Sequence, residues 1–312
     1  MRALLVLAAV ILGLSAVPGA AQEHVRYGTA VKFSPVYYLP VLAAQEQGIF
    51  KKHGLNVEWV PAKSGPDFIR DLAAGAVDIG SSTGATDIPA ISRGAPAVIV
   101  GSLQPTDGFA IWVDTNSRFK TAKDLEGAKI GVSRLGGAEH AYGLLVAHEL
   151  GLANDIRFVA SGGVQESMAL LQTGGIDGVV LTPHQMIELE LQGKVRPLLQ
   201  IDDYKQKPWV AYTITASKAF VAQHPEAARK VVASILEADR FIMSDAGRAW
   251  TIAKMKQESH YSDEAAARIY KGLALNTDGR IDPKAVQNVV DFMVRYKLLK
   301  PEDEKTAAHT YT

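Results

Sequence analysis

Apolar and polar positions along the first third of the chain alternate between a strand-like and a helix-like period. Four runs are β-prone, the last of them apolar enough for a buried strand: 25–31, 55–60, 76–82 and 95–103. Three runs between them have helical spacing: 36–50, 64–75 and 83–94. Pro40 lies in the first helical run, and we expect it in the first turn, where proline breaks no amide bond. Strands that alternate with helices of this length predict βαβ units and a mostly parallel sheet.

The same order of elements starts again near residue 123. Four further runs read as strands: 130–132, 156–161, 176–183 and 195–201. Three runs between them read as helices: 138–152, 163–175 and 184–193. After a strand at 209–217, four helices follow, each with Pro, Asp or Ser near its start: 224–243, 246–258, 262–273 and 282–299. The chain therefore predicts two α/β lobes, and we expect the last helices to pack on the first lobe.

A short internal repeat supports the two-lobe interpretation. The segments LAAGAVDIG (72–80) and LQTGGIDGV (171–179) share Leu-x-x-Gly-x-(Val/Ile)-Asp. Asp78 and Asp177 are 99 residues apart, and so are Gly94 and Gly193. Glycine and aspartate between a helix and a strand are common punctuation, so coincidence is the alternative. Because the order of elements agrees as well, we favour a duplicated unit.

The N-terminus and the composition bear on where the chain works. One arginine, an apolar run over 3–17, and small residues before Gln22 are typical of a signal peptide covering 1–21. A membrane anchor is the alternative, but the run is short for a span. The 312 residues include no cysteine, which excludes disulfides, thiol chemistry and a lipidated N-terminal cysteine. Lys plus Arg equals Asp plus Glu at 33 each, so no basic field attracts nucleic acid. These features predict an exported, periplasmic protein, with a monomer as the default.

One stretch resembles a known family. In LPVLAAQEQGIFKKHGLNVEWV (39–60), a helix rich in alanine is followed by Gly48, Ile49, Phe50, Gly54, Leu55 and Val57. This pattern is similar to that of periplasmic substrate-binding proteins of ABC importers, of the nitrate/sulfonate/taurine and thiamine-pyrimidine type. The segments LAAGAVDIGSSTG, KDLEGAKIGVSRLGG and IDGVVLTPHQ agree in order, so the resemblance covers about 22–299.

The resemblance implies a two-lobe α/β fold that closes on a ligand about a hinge. Lobe 1 would comprise 22–112 plus 214–312, and lobe 2 would comprise 113–213. The hinge strands would be AIWVD and VAYTI. Since ligands bind at the carboxyl ends of strands in α/β sheets, the loops after the repeated strands should face each other across a cleft. A small-molecule ligand and a membrane permease are the implied partners.

Two loops of lobe 1 are candidates for ligand binding. Hydroxyls and free helix amides suit an anion, glycine permits close approach, and tyrosines offer flat faces. The candidates are Ser34, Tyr37 and Tyr38 in one loop and Ser82, Thr83 and Gly84 in the other. The tyrosines packing inside the lobe, and the hydroxyls serving as helix caps, are the alternatives. Asp87 is more typical of a first-turn helix acid than of a ligand contact.

Lobe 2 and the hinge supply further candidates. Arg134 would pair with a carboxylate or sulfonate, and a glycine pair before a helix would expose amides. The candidates are Arg134, Gly136, Gly137, His140, Thr182, His184 and Trp209. For the two histidines and Trp209, a purely structural role is the alternative. Glu139 argues against a purely anionic site, and Tyr212 adds an aromatic ring near the hinge.

No motif for catalysis or metal binding is present. The chain lacks Gly-x-Ser-x-Gly, a Walker loop and His-Glu-x-x-His, and its eight histidines are scattered. The related pyrimidine synthases of thiamine biosynthesis use a Cys-rich segment that this chain lacks. We therefore expect a binding protein without catalytic residues, cofactor or metal.

Three functions remain open at this point. The first is a receptor that captures a small organic anion and delivers it to an ABC importer. The second is the same scaffold holding a neutral or cationic heteroaromatic, with Tyr37, Tyr38 and Trp209 stacking and Asp107 or Glu139 pairing with amines. The third is a ligand-sensing adaptor for a membrane sensor.

Overall fold

Two five-stranded sheets form the framework, one in each lobe. The computed structural model describes residues 22–32, 34–106, 108–205, 207–303 and 310–312. The predicted signal peptide and Asp107 lie outside these ranges. The strands are β1 (Glu23–Thr29), β2 (Leu55–Pro61), β3 (Ile79–Thr83), β4 (Ala97–Gln104), β5 (Ala110–Asp114), β6 (Lys129–Val132), β7 (Arg157–Ala160), β8 (Gly178–Leu181), β9 (Val195–Gln200) and β10 (Tyr212–Ser217).

Twelve α-helices lie within the described ranges. They are α1 (Pro35–Glu46), α2 (Ile49–Lys52), α3 (Gly65–Ala73), α4 (Gly84–Ser92), α5 (Ala138–Glu149), α6 (Val164–Gln172), α7 (Pro183–Leu191), α8 (Lys218–Gln223), α9 (Pro225–Ile242), α10 (Asp245–Ser259), α11 (Asp263–Gly272) and α12 (Pro283–Arg295). Three short 3₁₀ helices accompany them at Ala122–Leu125, Ile201–Asp203 and Pro301–Asp303.

The two sheets have the same topology. The strand orders are β2-β1-β3-β10-β4 and β7-β6-β8-β5-β9. In the first sheet only β10 runs antiparallel to its neighbours, and in the second only β5 does. Each of these is the first strand after the chain crosses from the other lobe. The expected mostly parallel sheets in a two-lobe α/β fold are therefore confirmed, with one reversed strand in each.

The crossings between lobes lie earlier in the chain than the boundaries predicted from sequence. All of β5 pairs with β8 and β9 of the second sheet, so the predicted boundary after residue 112 falls inside a strand of lobe 2. All of β10 pairs with β3 and β4, so the boundary after 213 falls inside a strand of lobe 1. The chain crosses between β4 and β5 and again between β9 and β10. We propose that these two connections, rather than the strands beside them, form the hinge.

Helix α1 differs from the expectation for Pro40. Pro40 is the sixth residue of α1, beyond the first turn, so the expected position was wrong. Proline has no N–H to donate to the carbonyl of Val36. Every residue from Pro35 to Val41 is buried, and packing on α9 accompanies that burial. Tertiary contacts therefore outweigh the local cost of the proline.

The C-terminal helices begin where the sequence predicts. Ser244, Ser262 and Asp282 each accept a first-turn amide hydrogen bond, and Pro225 opens α9. Helices α9 and α12 pack on α1 and α4 of lobe 1, as expected, while α11 also contacts α7 of lobe 2. In the described part of the chain, no helix combines the length and apolar character that a bilayer crossing requires.

Candidate functional site

A cavity lies between the lobes at the carboxyl ends of the strands. Its volume is about 40 Å³, room for a few water molecules. The lining residues come from both lobes and from the crossings: Ala30, Val31, Ser34, Tyr37, Ser64, Gly65, Thr83, Thr86, Phe109, Ser133, Ala138, Glu139, Thr182, His184, Gln185 and Tyr212. Residues of both lobes thus line one shared cavity in the cleft.

Five helices direct their N-terminal ends at this cavity. The first residues or N-caps that line it belong to α1 (Ser34), α3 (Ser64 and Gly65), α4 (Thr83), α5 (Ala138) and α7 (Thr182). Each helix end carries partial positive charge and amides that lack a partner within the helix. Among the described residues that line the cavity, Glu139 is the one Asp, Glu, Lys or Arg residue. The site can therefore attract an anion through backbone dipoles and hydroxyls, without a lysine or arginine in its wall.

Ser34 is the hydroxyl best placed for a ligand. It is the N-cap of α1 and lines the cavity, and only 2% of its surface is exposed. Its backbone carbonyl accepts from Tyr37 N at 2.9 Å and Tyr38 N at 3.0 Å. Its side-chain oxygen, however, has no hydrogen-bond partner among the described residues. A buried hydroxyl without a partner carries a free-energy cost that a ligand would remove.

Aromatic rings form the apolar wall of the cavity. Tyr37 and Tyr212 pack edge to face with ring centroids 5.3 Å apart. Phe109, in the first crossing, lies 5.2 Å from the ring of Tyr142. Such a wall excludes water and limits the width of a ligand body.

The lobe 2 side of the cavity holds a neutral histidine. His184 Nε2 lies 3.0 Å from Thr182 Oγ1, and burial lowers the pKa of His184 to about 3. Thr182 Oγ1 donates to Gln185 Oε1 at 2.8 Å, which leaves His184 Nε2–H as the donor to the threonine. The backbone carbonyl of His184 accepts from Tyr261 Oη of lobe 1 at 2.7 Å. His184 thus contributes polarity without positive charge.

Five of the candidates named from sequence line the cavity: Ser34, Tyr37, Thr83, Thr182 and His184. Glu139 and Tyr212, which were also considered, line it too. Asp107 lies outside the described residues, and the other candidates are absent from the cavity lining.

Three lobe 1 candidates lie in the packed interior. Tyr38 is fully buried, and its hydroxyl is 3.0 Å from Ser259 Oγ. Gly84 N donates to the carbonyl of Ala211 at 3.0 Å, and a side chain at this position would collide with Val210. Ser82 is also completely buried.

Trp209 lies in the second crossing between the lobes and is absent from the cavity lining. Its Nε1 donates to Tyr142 Oη at 3.1 Å, and its ring lies 5.5 Å from that of Phe292. Trp209 therefore joins the second crossing to α5 of lobe 2 and α12 of lobe 1.

The residues of the glycine-rich loop of lobe 2 contact other residues of the protein. Gly136 N donates to His140 Nδ1 at 3.1 Å, and the His140 ring packs edge-on against Phe158 at 5.4 Å. Gly137 is the N-cap of α5. Arg134 Nη2 lies 3.2 Å from Asp67 Oδ2 in the other lobe. Its charge therefore faces a carboxylate of the protein itself.

Sequence reasoning missed several cavity residues. Ser64 is the N-cap of α3 and Gly65 its first residue, at the end of the loop that follows β2. Thr86 lies one turn after Thr83 and accepts its hydroxyl proton at 3.0 Å. The sequence signal for all three is the position after a strand, at the start of a helix. Ser133, directly after β6, and Gln185, in the first turn of α7, carry the same signal, whereas Phe109 does not.

No metal site is visible in the part of the chain that the structure describes. Among those residues, no three His, Asp or Glu side chains come together in an arrangement that could hold a metal ion.

The architecture defines the class of protein: it is the two-lobe fold of periplasmic binding proteins. The periplasmic aliphatic sulphonate binding protein SsuA from Escherichia coli superposes with a TM-score of 0.75 at 22% identity, covering 93% of this chain and 92% of that one. A Candida albicans protein described as having the generic periplasmic binding protein fold gives a TM-score of 0.81 at 17% identity, covering 93% and 96%. At these identities, the likeness establishes the fold.

The chain belongs to the family described as NMT1/THI5 like, whose model matches residues 36–249. A binding protein of Brucella abortus is 28% identical over 273 residues, which cover 84% of this chain and 83% of that protein. A 4-amino-5-hydroxymethyl-2-methylpyrimidine phosphate synthase of Aspergillus parasiticus is 26% identical over 231 residues, covering 69% and 65%. The family membership inferred from the Gly-Ile-Phe segment is therefore confirmed.

Proposed function

We propose that this protein is an extracytoplasmic receptor that captures a small organic anion by lobe closure and delivers it to an ABC importer. The convergence of five helix N-termini on one interlobe cavity carries this proposal. A sulfonate or carboxylate head would receive hydrogen bonds from helix amides and from Ser34, while Tyr37, Tyr212 and Phe109 would flank the organic body. Family relatives that include a named binding protein support it.

We also propose a permease as the partner of this protein and the periplasm as its location. Receptors of this fold present a closed, ligand-bound form that a permease can distinguish from the open form. The signal-like N-terminus supports export to the periplasm, and the absence of cysteine leaves no thiol for a lipid anchor. We propose that the chain works as a monomer and binds its ligand without changing it chemically.

A second candidate is a heteroaromatic ligand such as a pyrimidine precursor of thiamine. Pyrimidine phosphate synthases are among the relatives, and the Tyr37–Tyr212 pair offers an aromatic wall. Glu139 in the cavity lining would suit an exocyclic amine. We rank this candidate second because the helix ends favour negative charge.

Matched pairs of ligands separate the two candidates. The chain from Gln22 onward would be tested by thermal shift and calorimetry with methanesulfonate against dimethyl sulfone, its uncharged counterpart of similar shape. Longer alkanesulfonates, carboxylates and aminopyrimidines would complete the panel. A ligand at one hundred times its Kd stabilises by about 2.7 kcal/mol, which a thermal shift detects. Stabilisation by the sulfonate and not by the sulfone is expected, whereas stabilisation by aminopyrimidines alone would overturn the anion proposal.

A further inference from the structure

An ion pair crosses the cleft at the rim of the cavity. Asp67, in α3 of lobe 1, and Arg134, after β6 of lobe 2, approach to 3.2 Å between Oδ2 and Nη2. Both partners adjoin residues that line the cavity. Ser64 Oγ donates to Asp67 Oδ2 at 2.6 Å, and Ser133 directly precedes Arg134. The pair therefore ties the lobe 1 wall of the site to the lobe 2 wall.

The two partners differ in what happens to them when the lobes separate. The side chain of Asp67 is 6% exposed, and its carboxylate also pairs with Arg70 of the same helix at 2.8 Å. Burial raises the pKa of Asp67, but the Ser64 hydroxyl, Arg70 and Arg134 outweigh this effect and lower the pKa below its ordinary value. Opening the cleft leaves Asp67 its contacts with Ser64 and Arg70. Arg134, half exposed, exchanges its carboxylate for water.

We propose that Asp67 and Arg134 form a latch that holds the two lobes together over the occupied cavity, with Asp67 positioning the Ser64 hydroxyl at its wall. Arg134 then acts on the rate at which the cleft opens and makes no contact with the ligand. The role of the latch around a bound ligand rests on the proposed function. Its effect on the lobes themselves is measurable in the absence of any ligand.

Interlobe distance is the direct test. Since the chain has no cysteine, Ala74→Cys and Gln172→Cys, at exposed sites of lobes 1 and 2, would be the only attachment points for spin labels. Asp67→Asn and Arg134→Gln should each raise the ratio of open to closed forms by about 1.5- to fivefold, the range for a partly exposed ion pair. High salt should produce the same change in the wild type but not in Arg134→Gln.

Arg70→Gln is the matched control. It removes another arginine from the same carboxylate without removing a contact between lobes. It should leave the distance distribution unchanged. Identical distributions in wild type, Arg134→Gln and Arg70→Gln would overturn the latch, and so would a change as large in Arg70→Gln as in Arg134→Gln.

Binding of methanesulfonate separates failure of the latch from failure of the proposed function. The latch predicts about 1.5- to fivefold faster dissociation in Arg134→Gln and in Asp67→Asn, with little further loss in the double variant. A distance change without methanesulfonate binding supports the latch and contradicts the anion proposal for this probe. Loss of binding beyond about a hundredfold in Arg134→Gln alone would place Arg134 on the ligand and overturn the latch.

Discussion

Asp78 and Asp177 make the same pair of hydrogen bonds in the two lobes. Asp78 Oδ2 accepts from Arg26 N at 2.8 Å, and Asp78 N donates to the carbonyl of Arg26 at 3.0 Å. Asp177 Oδ2 accepts from Lys129 N at 2.8 Å, and Asp177 N donates to the carbonyl of Lys129 at 2.8 Å. Each aspartate directly precedes a strand and ties its start to the neighbouring strand. Asp78 does so at Arg26, the fourth residue of β1, and Asp177 at Lys129, the first residue of β6.

The packing around this contact is repeated as well. A side chain at Gly28 in β1 would approach Val77, and one at Gly131 in β6 would approach Ile176. Val77 and Ile176 precede the two aspartates, so they hold equivalent positions. The shared sequence signature thus encodes a strand-pairing unit used once in each lobe. This supports duplication over coincidence.

Removing each aspartate tests this unit. Asp78→Ala should cost about 2–3 kcal/mol, because a backbone amide loses a charged acceptor and Arg26 loses its ion-pair partner at 2.6 Å. Asp177→Ala should cost about 1 kcal/mol, since its acceptor role lies in an exposed setting. Thermal melting measures both. The Asn variants keep an acceptor and should lose less, and Ala and Asn variants of equal stability would contradict this role.

The strand-end loops could be predicted from sequence because their position depends on local pattern alone. Ser34, Thr83 and Thr182 are each the N-cap of a helix, at or after the end of a strand, and all three line the cavity. Side-chain direction depends on tertiary packing. Tyr37 and Tyr38 are neighbours on one helix, about 100° apart around its axis, so one faces the cavity and the other the interior.

The other sequence-based predictions depended on contacts between residues that are distant in the sequence. The sequence offers Arg134 as a free charge, and only the fold brings Asp67 of the other lobe to it. The lobe boundaries failed for a related reason. Strands β5 and β10 look like continuous hinge strands, but their pairing places each wholly in one sheet.

Asp239 should limit stability at neutral pH. It is fully buried in α9, and neither carboxylate oxygen has a hydrogen-bond partner among the described residues. Burial raises its pKa well above the ordinary value, an effect that the charge of Arg240 only partly opposes. The unfolded chain therefore releases this proton at lower pH than the folded protein does. The free energy of unfolding therefore decreases as the pH rises above about 4, the pKa of an unperturbed aspartate, because the folded protein retains the proton that the unfolded chain has lost.

Replacing this carboxyl with an apolar group of similar size removes that pH dependence. Asp239→Leu should raise stability by about 1–3 kcal/mol at pH 7 and by less at pH 4. Urea unfolding at the two pH values gives the comparison, with Asp239→Asn as the uncharged polar control. A variant that is destabilised equally at both pH values would show that Asp239 has a stabilising partner.

A substitution at Ser34 should weaken ligand binding while it raises stability. Because its buried hydroxyl has no partner among the described residues, Ser34→Ala should raise stability, by about 1 kcal/mol. A lost hydrogen bond to a charged ligand should weaken methanesulfonate binding about tenfold or more. Ser92→Ala is the control, since Ser92 Oγ donates to Ile88 O at 2.7 Å away from the cavity. It should cost about 1 kcal/mol of stability and leave affinity unchanged. Equal affinities of wild type and Ser34→Ala would remove Ser34 from the site.

Asp87 should make anion binding depend on pH. It lies in the first turn of α4, directly after Thr86 of the cavity lining, and accepts from Thr213 and Thr215 at 2.7 and 2.5 Å. Burial raises its pKa to about 6 against the opposing effect of these hydroxyls. Above that pH, the ionised carboxylate weakens the positive end of α4 and repels an anion.

Methanesulfonate should therefore bind about three- to tenfold tighter at pH 5 than at pH 8, and binding should raise the pKa of Asp87 in return. Calorimetry across this range measures the change. His184 does not contribute, because its pKa of about 3 lies below the window. Asp87→Asn keeps an acceptor for both threonines and should bind at pH 8 as tightly as the wild type binds at pH 5. If Asp87→Asn retains the full pH dependence, another group in the cavity carries it, and Glu139 would be the next residue to replace.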